Sequence, residues 1–219
     1  MRILRDFVLS HTDLKGKISL LVHLDSGCNF NCYKCYNYQD LIKNRDNQEW
    51  VTVDKLYNYL DLNESVYDYI IISGGEPTLC GDDLIDLCTS LKRKYKTSLS
   101  LNTNGSCPSV LKKLIENRLI DNVSIDLKFP LFNYNFNYYK NLWEQIYGIP
   151  YNLTVAQNIT MSLEYLYSSF ISFELRTVKY PFLKRSFLKK YKETVKKLNE
   201  YYKRNIQHTF SDFYDRGEA

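Results

Sequence analysis

The stretch Tyr67-Asp-Tyr-Ile-Ile-Ile-Ser73, followed directly by Gly74-Gly75-Glu76-Pro77-Thr78, decides the fold class. A short apolar run that ends at Gly-Gly is typical of a strand buried on both faces of a parallel sheet. Glycine is scarce in this chain, with 8 in 219 residues, so the Gly-Gly pair carries more weight than usual as punctuation. We therefore predict a buried strand whose carboxyl end carries a polar loop.

Five more strands are predicted around this one, and helices with apolar spacing near 3.6 lie between them. The strands are Ile18–Leu24, Ser98–Thr103, Asn122–Leu127, Phe170–Val178 and Asn205–Phe210; the helices are Val53–Leu60, Asp83–Lys94, Ser109–Asn117, a region between Asn137 and Tyr167, and Arg185–Tyr202. Alternating strands and helices indicate parallel βαβ units, but six strands are too few for a closed eight-stranded barrel. We predict an α/β fold, a partial (β/α)6 TIM-like barrel of parallel strands. It forms a single domain over residues 1–219, with the active site at the C-terminal strand ends.

Three cysteines follow the first predicted strand in the loop Cys28-Asn-Phe-Asn-Cys32-Tyr-Lys-Cys35. Three thiolates in eight residues can converge on one inorganic core, whereas cubane clusters and structural zinc usually take four protein ligands. The next cysteine, Cys80, lies 45 residues further on, so the loop suggests an iron-sulfur cluster with one iron left for another ligand. The competing interpretation is a zinc loop completed by His23 or a distant cysteine, or three free thiols.

Polar residues also end the later strands. Thr103 follows Asn102 on the third strand, and Asp126 alternates with apolar neighbours, so it should face the barrel interior with Lys128 just above it. Charges on largely apolar strands are costly to bury without partners. Internal salt bridges are therefore the alternative to ligand contacts, both here and for Arg176 on the fifth strand.

Composition limits the class of protein. The net charge of +4 is too mild to indicate a nucleic-acid partner, and no apolar stretch is long enough to span a membrane. The first residues lack the pattern of a signal peptide, and six cysteines then point to thiols or metal ligands. We expect a cytoplasmic globular protein without nucleic-acid or membrane partners.

Taken together, the C-x3-C-x2-C loop, the Gly-Gly-Glu-Pro string and the partial barrel resemble the radical S-adenosylmethionine (SAM) superfamily. The segments Asp13-Leu-Lys-Gly-Lys-Ile-Ser19, Asn102-Thr-Asn-Gly-Ser106 and Glu174-Leu-Arg-Thr-Val178 are similar to those of glycyl-radical-enzyme activases. The anaerobic ribonucleoside-triphosphate reductase activating protein type is the most similar. The resemblance implies reductive cleavage of SAM at a [4Fe-4S] cluster to a 5′-deoxyadenosyl radical. The partners it implies are a glycyl radical enzyme as substrate and a flavodoxin- or ferredoxin-type electron donor.

The resemblance also implies roles for residues. Cys28, Cys32 and Cys35 would ligate three irons, and the amine and carboxylate of SAM would bind the fourth. Gly74, Gly75 and Glu76 would receive the amine, and Lys128 and Arg176 would lie near the carboxylate or ribose. The SAM site implied as a whole comprises Asn37, Ser73, Gly74, Gly75, Glu76, Thr103, Lys128 and Arg176.

The chain departs from the family pattern in three respects, one of which is the lack of the cysteine-rich insertion that carries extra clusters in some activases. Lys34 precedes the third cysteine where an aromatic residue is expected, so Tyr36 or the backbone would contact adenine. Asn102-Thr103 replaces an Asp-Thr pair while Asp126 is kept, so we expect weak or absent binding of a monovalent cation.

Two other classes stay open. A small-molecule radical SAM enzyme of the 7-carboxy-7-deazaguanine synthase type could use Asn102-Thr-Asn104 and the tyrosine-rich segment Asn133–Tyr139 to bind its substrate. A zinc-binding module without enzymatic activity would bind one zinc per chain and would not cleave SAM.

The basic helix from Lys184 to Arg204 is expected to turn its charges to solvent, and His208 is expected either to face the cavity or to pack against its neighbours. Cys80, Cys88 and Cys107 are expected to be buried thiols.

Overall fold

A computed structural model of the chain describes residues 1–130 and 139–214. It contains nine strands and six α-helices in these residues. The strands are β1 (Arg2–Leu4), β2 (Val8–Ser10), β3 (Ser19–Leu24), β4 (Trp50–Thr52), β5 (Tyr69–Gly74), β6 (Ser98–Thr103), β7 (Asn122–Asp126), β8 (Ser172–Lys179) and β9 (Gln207–Asp212). The helices are α1 (Asp54–Asn63), α2 (Asp82–Lys94), α3 (Pro108–Glu116), α4 (Lys140–Tyr147), α5 (Leu153–Ser168) and α6 (Arg185–Tyr202).

All the strands belong to one sheet, with the order β4-β1-β3-β5-β6-β7-β8-β9 and β2 paired to β3. The six strands from β3 and β5 to β9 are parallel, and each predicted parallel strand corresponds to one of them. Among the described strands, β4 and β9 lie at the two edges of the sheet and do not pair with each other, so the sheet is an open partial barrel, as predicted. The expectation of parallel strands alone was incomplete, because β1, β2 and β4 pair antiparallel.

The core lies between the sheet and the helices. On β3, Leu20, Val22 and Leu24 are buried in this core, and alternation turns Leu21 and His23 to the concave side, which we call the barrel interior. The same alternation turns the polar residues of β7 and β8 inward. Apolar side chains thus fill the outer layer, while the interior is largely polar.

One predicted helical region became two helices. The region between Asn137 and Tyr167 contains α4 and α5, separated at Gly148-Ile-Pro150. Gly148 ends α4 with φ +64°, a left-handed conformation that favours glycine, and Pro150 cannot continue a helix. Asn152 then caps α5, since its Oδ1 accepts from Val155 N at 3.2 Å.

The basic helix α6 is amphipathic. It buries Phe187, Tyr191 and Val195 and exposes Lys192 and Lys196, as expected for an outer helix. None of the helices in the described part of the chain is both long and apolar enough to cross a membrane.

Candidate active site

The loops that follow β3, β5 and β6 meet at the carboxyl ends of these strands. The backbone of Glu76 donates to Gly27 O at 2.7 Å, which joins the Gly-Gly loop to the start of the cysteine loop. Asn37 Nδ2 donates to Gly74 O at 3.1 Å, so two residues predicted to bind SAM are in direct contact. A side chain could not replace the hydrogen at Gly75, since a Cβ there would lie 1.9 Å from Gly27 O. Close backbone packing therefore explains the glycine pair.

The cysteine loop is held from its other side by the end of α4. Asn31 N donates to Tyr147 O at 3.0 Å and Tyr33 N donates to Ile146 O at 3.1 Å. Gly148 lies directly against the loop, and a Cβ on it would come within 1.6 Å of Asn31 O. Gly148 was not among the residues predicted to shape the site, although the scarcity of glycine in the chain was a usable signal.

A buried ion pair closes the same loop. Asp25, directly after β3, accepts from Arg45 Nε, and its other oxygen lies 2.6 Å from Arg2 Nη2. The Asp25 side chain is 4% exposed. Although burial acts in the opposite direction, the two guanidinium groups lower the pKa of Asp25 below its usual range. Contacts between distant segments thus fix both ends of the loop that carries the cysteines.

The three cysteines of the loop are free thiols that lie close enough to influence one another's pKa. Burial raises the pKa of Cys32 to about 12; the charges of Cys35 and Cys28 act in the same direction, and Lys128 opposes them. Burial likewise raises the pKa of Cys28, with Glu76 and Cys35 adding to it. Cys35 is exposed. Among residues 1–130 and 139–214, no group of three or more His, Cys, Asp or Glu side chains is arranged to hold a metal ion.

Glu76 is a hydrogen-bonded centre of the loops and is only 1% exposed. Its Oε1 accepts from Thr78 N at 3.1 Å, Thr78 Oγ1 at 2.5 Å and Thr103 Oγ1 at 2.7 Å, and its Oε2 accepts from Asn104 N at 2.6 Å. Burial raises the pKa of Glu76, and these donors oppose the shift. The predicted contact with an amine is therefore limited to the remaining capacity of Oε2. The backbone amide of Asn104, which sequence reasoning missed, gives no signal in the side-chain pattern.

Lys128 and Asp126 form the internal ion pair that the sequence left open. Burial alone would lower the pKa of Lys128, but the Asp126 carboxylate and the nearby Cys32 outweigh it, so the pKa lies well above its usual value. The ammonium group therefore stays charged beside the cysteine loop. The cation beside the Asp126 carboxylate is thus the ammonium group of Lys128.

Arg176 is turned toward the amino-terminal ends of the strands. Its Nε donates to Glu174 Oε1 at 2.6 Å, and its Nη2 donates to the backbone oxygen of Asp13, in the turn between β2 and β3. The structure does not bring Arg176 together with the glycine loop, and its contact with SAM stays a prediction.

The other predicted residues are distributed as follows. Ser73 is buried at the end of β5, and Tyr36 is 59% exposed beyond the last cysteine of the loop. His208 packs outside the barrel, with Nε2 2.9 Å from Thr177 Oγ1. Cys88 is buried as expected, but Cys80 and Cys107 are only half-buried. The segment Asn133–Tyr139 lies outside the described residues except for Tyr139.

Comparison with known proteins defines the class of protein. The model of the Radical SAM superfamily matches residues 24–149, more than half of the chain, so the chain belongs to the radical SAM superfamily. The two cofactors of this superfamily are SAM and a [4Fe-4S] cluster. In the part of the chain that the structure describes, no three His, Cys, Asp or Glu side chains converge on a single metal ion, but a cubane cluster takes each cysteine on a different iron. Three thiols in one loop beside the charged Lys128 therefore fit such a cluster.

Individual relatives narrow the class. A Methanocaldococcus jannaschii protein with the provisional name glycyl-radical enzyme activating enzyme is 38% identical over 120 residues, 55% of this chain and 47% of that protein. A Thermoplasma volcanium protein provisionally named GTP 3′,8-cyclase is 31% identical over 120 residues, 53% of this chain and 35% of that protein. The chain thus spans less than half the length of these relatives.

A solved structure supports the fold. The structure titled native anSMEcpe with bound AdoMet superposes with a TM-score of 0.57 at 20% identity, covering 87% of this chain and 50% of that one. At this level of identity the likeness concerns the fold alone, and it agrees with the open partial barrel.

Proposed function

We propose that this protein is an activating enzyme that generates a glycyl radical on a partner protein, anaerobic ribonucleotide reductase being one such partner. Two relatives from Methanocaldococcus jannaschii, each 38% identical, carry the name of glycyl-radical enzyme activating enzymes. Relatives named as GTP cyclases are also present, at 31% and 27% identity. Similarity in sequence therefore favours the activase without deciding the substrate.

The observation that carries the proposal is the charge of the barrel interior. Among the described residues, the cations on the inward faces of the parallel strands and just beyond them are Lys128 and Arg176. Lys128 is paired with Asp126, and Arg176 with Glu174 and Asp13. A nucleoside triphosphate is normally held by unpaired cations, helix N-termini or a metal ion. An interior with more carboxylates than cations suits an uncharged segment of protein better.

We propose that Cys28, Cys32 and Cys35 ligate the cluster and that Lys128 supplies positive charge beside it. The cluster would supply one electron, received from a flavodoxin- or ferredoxin-type protein, to split SAM into methionine and a 5′-deoxyadenosyl radical. This radical would take a hydrogen atom from a glycine α-carbon of the partner, which gives 5′-deoxyadenosine and a glycyl radical. The protein supplies orientation and excludes water. The reaction would take place in the cytoplasm, and residues 1–219 would form the single domain that carries it out.

The loop residues would bind SAM around this cluster. Asn37 and Gly74, which already contact each other, are proposed to bind SAM together with Ser73 and Gly75. Glu76 and Thr103 would act mainly by holding the Gly-Gly-Glu-Pro loop against the end of β6, because the carboxylate of Glu76 already accepts four hydrogen bonds, one of them from Thr103.

The test is electron paramagnetic resonance on the reconstituted enzyme. The protein is loaded with iron and sulfide without oxygen and mixed with SAM, a reductant and the glycyl radical enzyme that copurifies with it. A glycyl radical doublet on the partner and one 5′-deoxyadenosine per radical are expected. Cys32→Ser should lose the cluster and the signal. SAM cleavage that consumes GTP and leaves no radical on protein would contradict the proposal.

The second candidate is a small-molecule radical SAM enzyme, favoured by the relatives named as GTP cyclases. It predicts that a small substrate, and no protein, stimulates the formation of 5′-deoxyadenosine. The same assay, run with GTP in place of the partner protein, distinguishes the two.

A further inference from the structure

One layer of the barrel interior is polar on every parallel strand. The strand register aligns His23 with Ser73, Asn102 with Ser124, Ser124 with Glu174, and Glu174 with Gln207. Ser73 and Asn102 each follow the last aligned pair of β5 and β6, so they continue the same layer. The layer thus consists of His23, Ser73, Asn102, Ser124, Glu174 and Gln207. In a closed barrel, such layers are normally filled by large branched apolar residues.

The two sides of this layer differ in how their polar groups are satisfied. On the β7–β8 side, Ser124 Oγ donates to Glu174 Oε1 at 3.0 Å, and Arg176 Nε donates to the same oxygen at 2.6 Å. On the β3–β6 side, His23 Nδ1 and Asn102 Oδ1 are buried, and within residues 1–130 and 139–214 neither atom has a hydrogen-bond partner. Unpartnered buried polar atoms are uncommon in native proteins, and each one calls for a physical reason.

Neither of these two groups carries a charge at neutral pH. Burial lowers the pKa of His23, and Asp13 and Asp40 oppose the shift without reversing it. A neutral imidazole has one N–H donor and one acceptor nitrogen, and a carboxamide has an NH2 donor group and one acceptor oxygen. A peptide bond presents the same pair of groups, one N–H and one C=O.

We propose that His23 and Asn102 form a recognition site for an uncharged amide group of the substrate, the peptide bond beside the glycine that is to be oxidised. This proposal rests on the proposed function, because it supposes a protein substrate. Both residues lie near the carboxyl ends of their strands: His23 precedes the cysteine loop by five residues, and Asn102 precedes Thr103 of the Glu76 network. The amide would therefore be held beside the loops that carry the predicted cofactor ligands.

A first experiment uses the cost of unpartnered polar atoms. Replacing a buried polar group that lacks a partner by an apolar group of similar size removes a penalty, so Asn102→Leu should keep or raise the melting temperature of the cluster-loaded protein. Asn122→Leu is the matched control, because Asn122 is an inward-facing asparagine on the next strand and hydrogen-bonds Ser100 at 2.9 Å. It should lower the melting temperature. His23→Phe is the second test variant, with the same expectation as Asn102→Leu.

A second experiment measures binding to the cluster-loaded, SAM-bound protein by saturation-transfer NMR. The probe is N-acetylglycine N-methylamide, which has two peptide bonds and a glycine carbon. N-acetylglycine differs from it by a carboxylate in place of one amide. The amide probe should bind at least about tenfold more tightly than the acid, and Asn102→Leu or His23→Phe should weaken it by about tenfold.

The outcomes separate this proposal from the proposed function. A loss of stability in Asn102→Leu and His23→Phe as large as in Asn122→Leu would overturn the recognition site, as would unchanged binding of the amide probe. Tighter binding of N-acetylglycine or GTP would also overturn it. Normal amide recognition without a glycyl radical on any partner would refute the activase and leave the site in place.

Discussion

Replacing Gly148 by alanine tests whether the end of α4 positions the cysteine loop. Gly148 has φ +64°, and a Cβ there would lie 1.6 Å from Asn31 O, where about 3.0 Å is the closest approach that real Cβ atoms show. The loop would have to withdraw by at least about 1.4 Å, the difference between these distances. Such a shift breaks the two backbone hydrogen bonds, of 3.0 and 3.1 Å, that join the loop to α4.

The magnitude follows from these contacts. The left-handed conformation costs alanine roughly 1–2 kcal/mol, and two lost hydrogen bonds cost about 0.5–1.5 kcal/mol each. Gly148→Ala should therefore destabilise the protein by about 2–5 kcal/mol. Gly16→Ala is the matched control: Gly16 has φ +73° and nothing within 4 Å of its Cβ position. It should cost only the roughly 1–2 kcal/mol of backbone strain.

Two measurements distinguish loop positioning from general destabilisation. Urea unfolding gives the stability of both variants, and iron per chain after oxygen-free reconstitution gives the cluster content. Gly148→Ala should lose most of its iron at a temperature where it is still folded, while Gly16→Ala keeps the wild-type amount. Equal stability and equal iron in the two variants would refute the role of Gly148.

Three further predictions concern buried polar groups. Arg45 and Arg2 hold the pKa of Asp25 low, so Asp25 contributes stability that is present above the usual carboxyl pKa and is lost as pH falls through the lowered value. Asp25→Asn should therefore make the free energy of unfolding depend less steeply on pH in this acid range, and an unchanged slope would contradict this. Thr103→Val removes a donor from the buried Glu76 carboxylate and should cost about 1–3 kcal/mol in urea unfolding, so a change near zero would count against it. Burial lowers the pKa of His208 from its usual value of 6.5 to about 4, so the free energy of unfolding should decrease as pH falls from 6.5 toward 4. His208→Phe should remove this decrease when urea unfolding is compared at pH 7 and pH 5.

The sequence by itself determined the succession of the six parallel strands along the chain, and all the helices except the division between α4 and α5, because burial on both faces and helical spacing are local patterns. It also located the cysteine loop and the Gly-Gly-Glu-Pro turn, since both follow predicted strands directly. Asp126 and Lys128 were predicted to lie together in the interior, and alternation along one strand was sufficient for that.

Tertiary structure alone decided the remaining features. The three antiparallel strands are only three residues long, and their pairing depends on segments far away in the chain. The turn of Arg176 toward Asp13 spans 163 positions, and the donors on Glu76 include a backbone amide 28 residues away. A periodic pattern records which face of an element is buried. It does not record which distant atom satisfies a buried charge, and this is why the contacts that position the site became visible only in the folded chain.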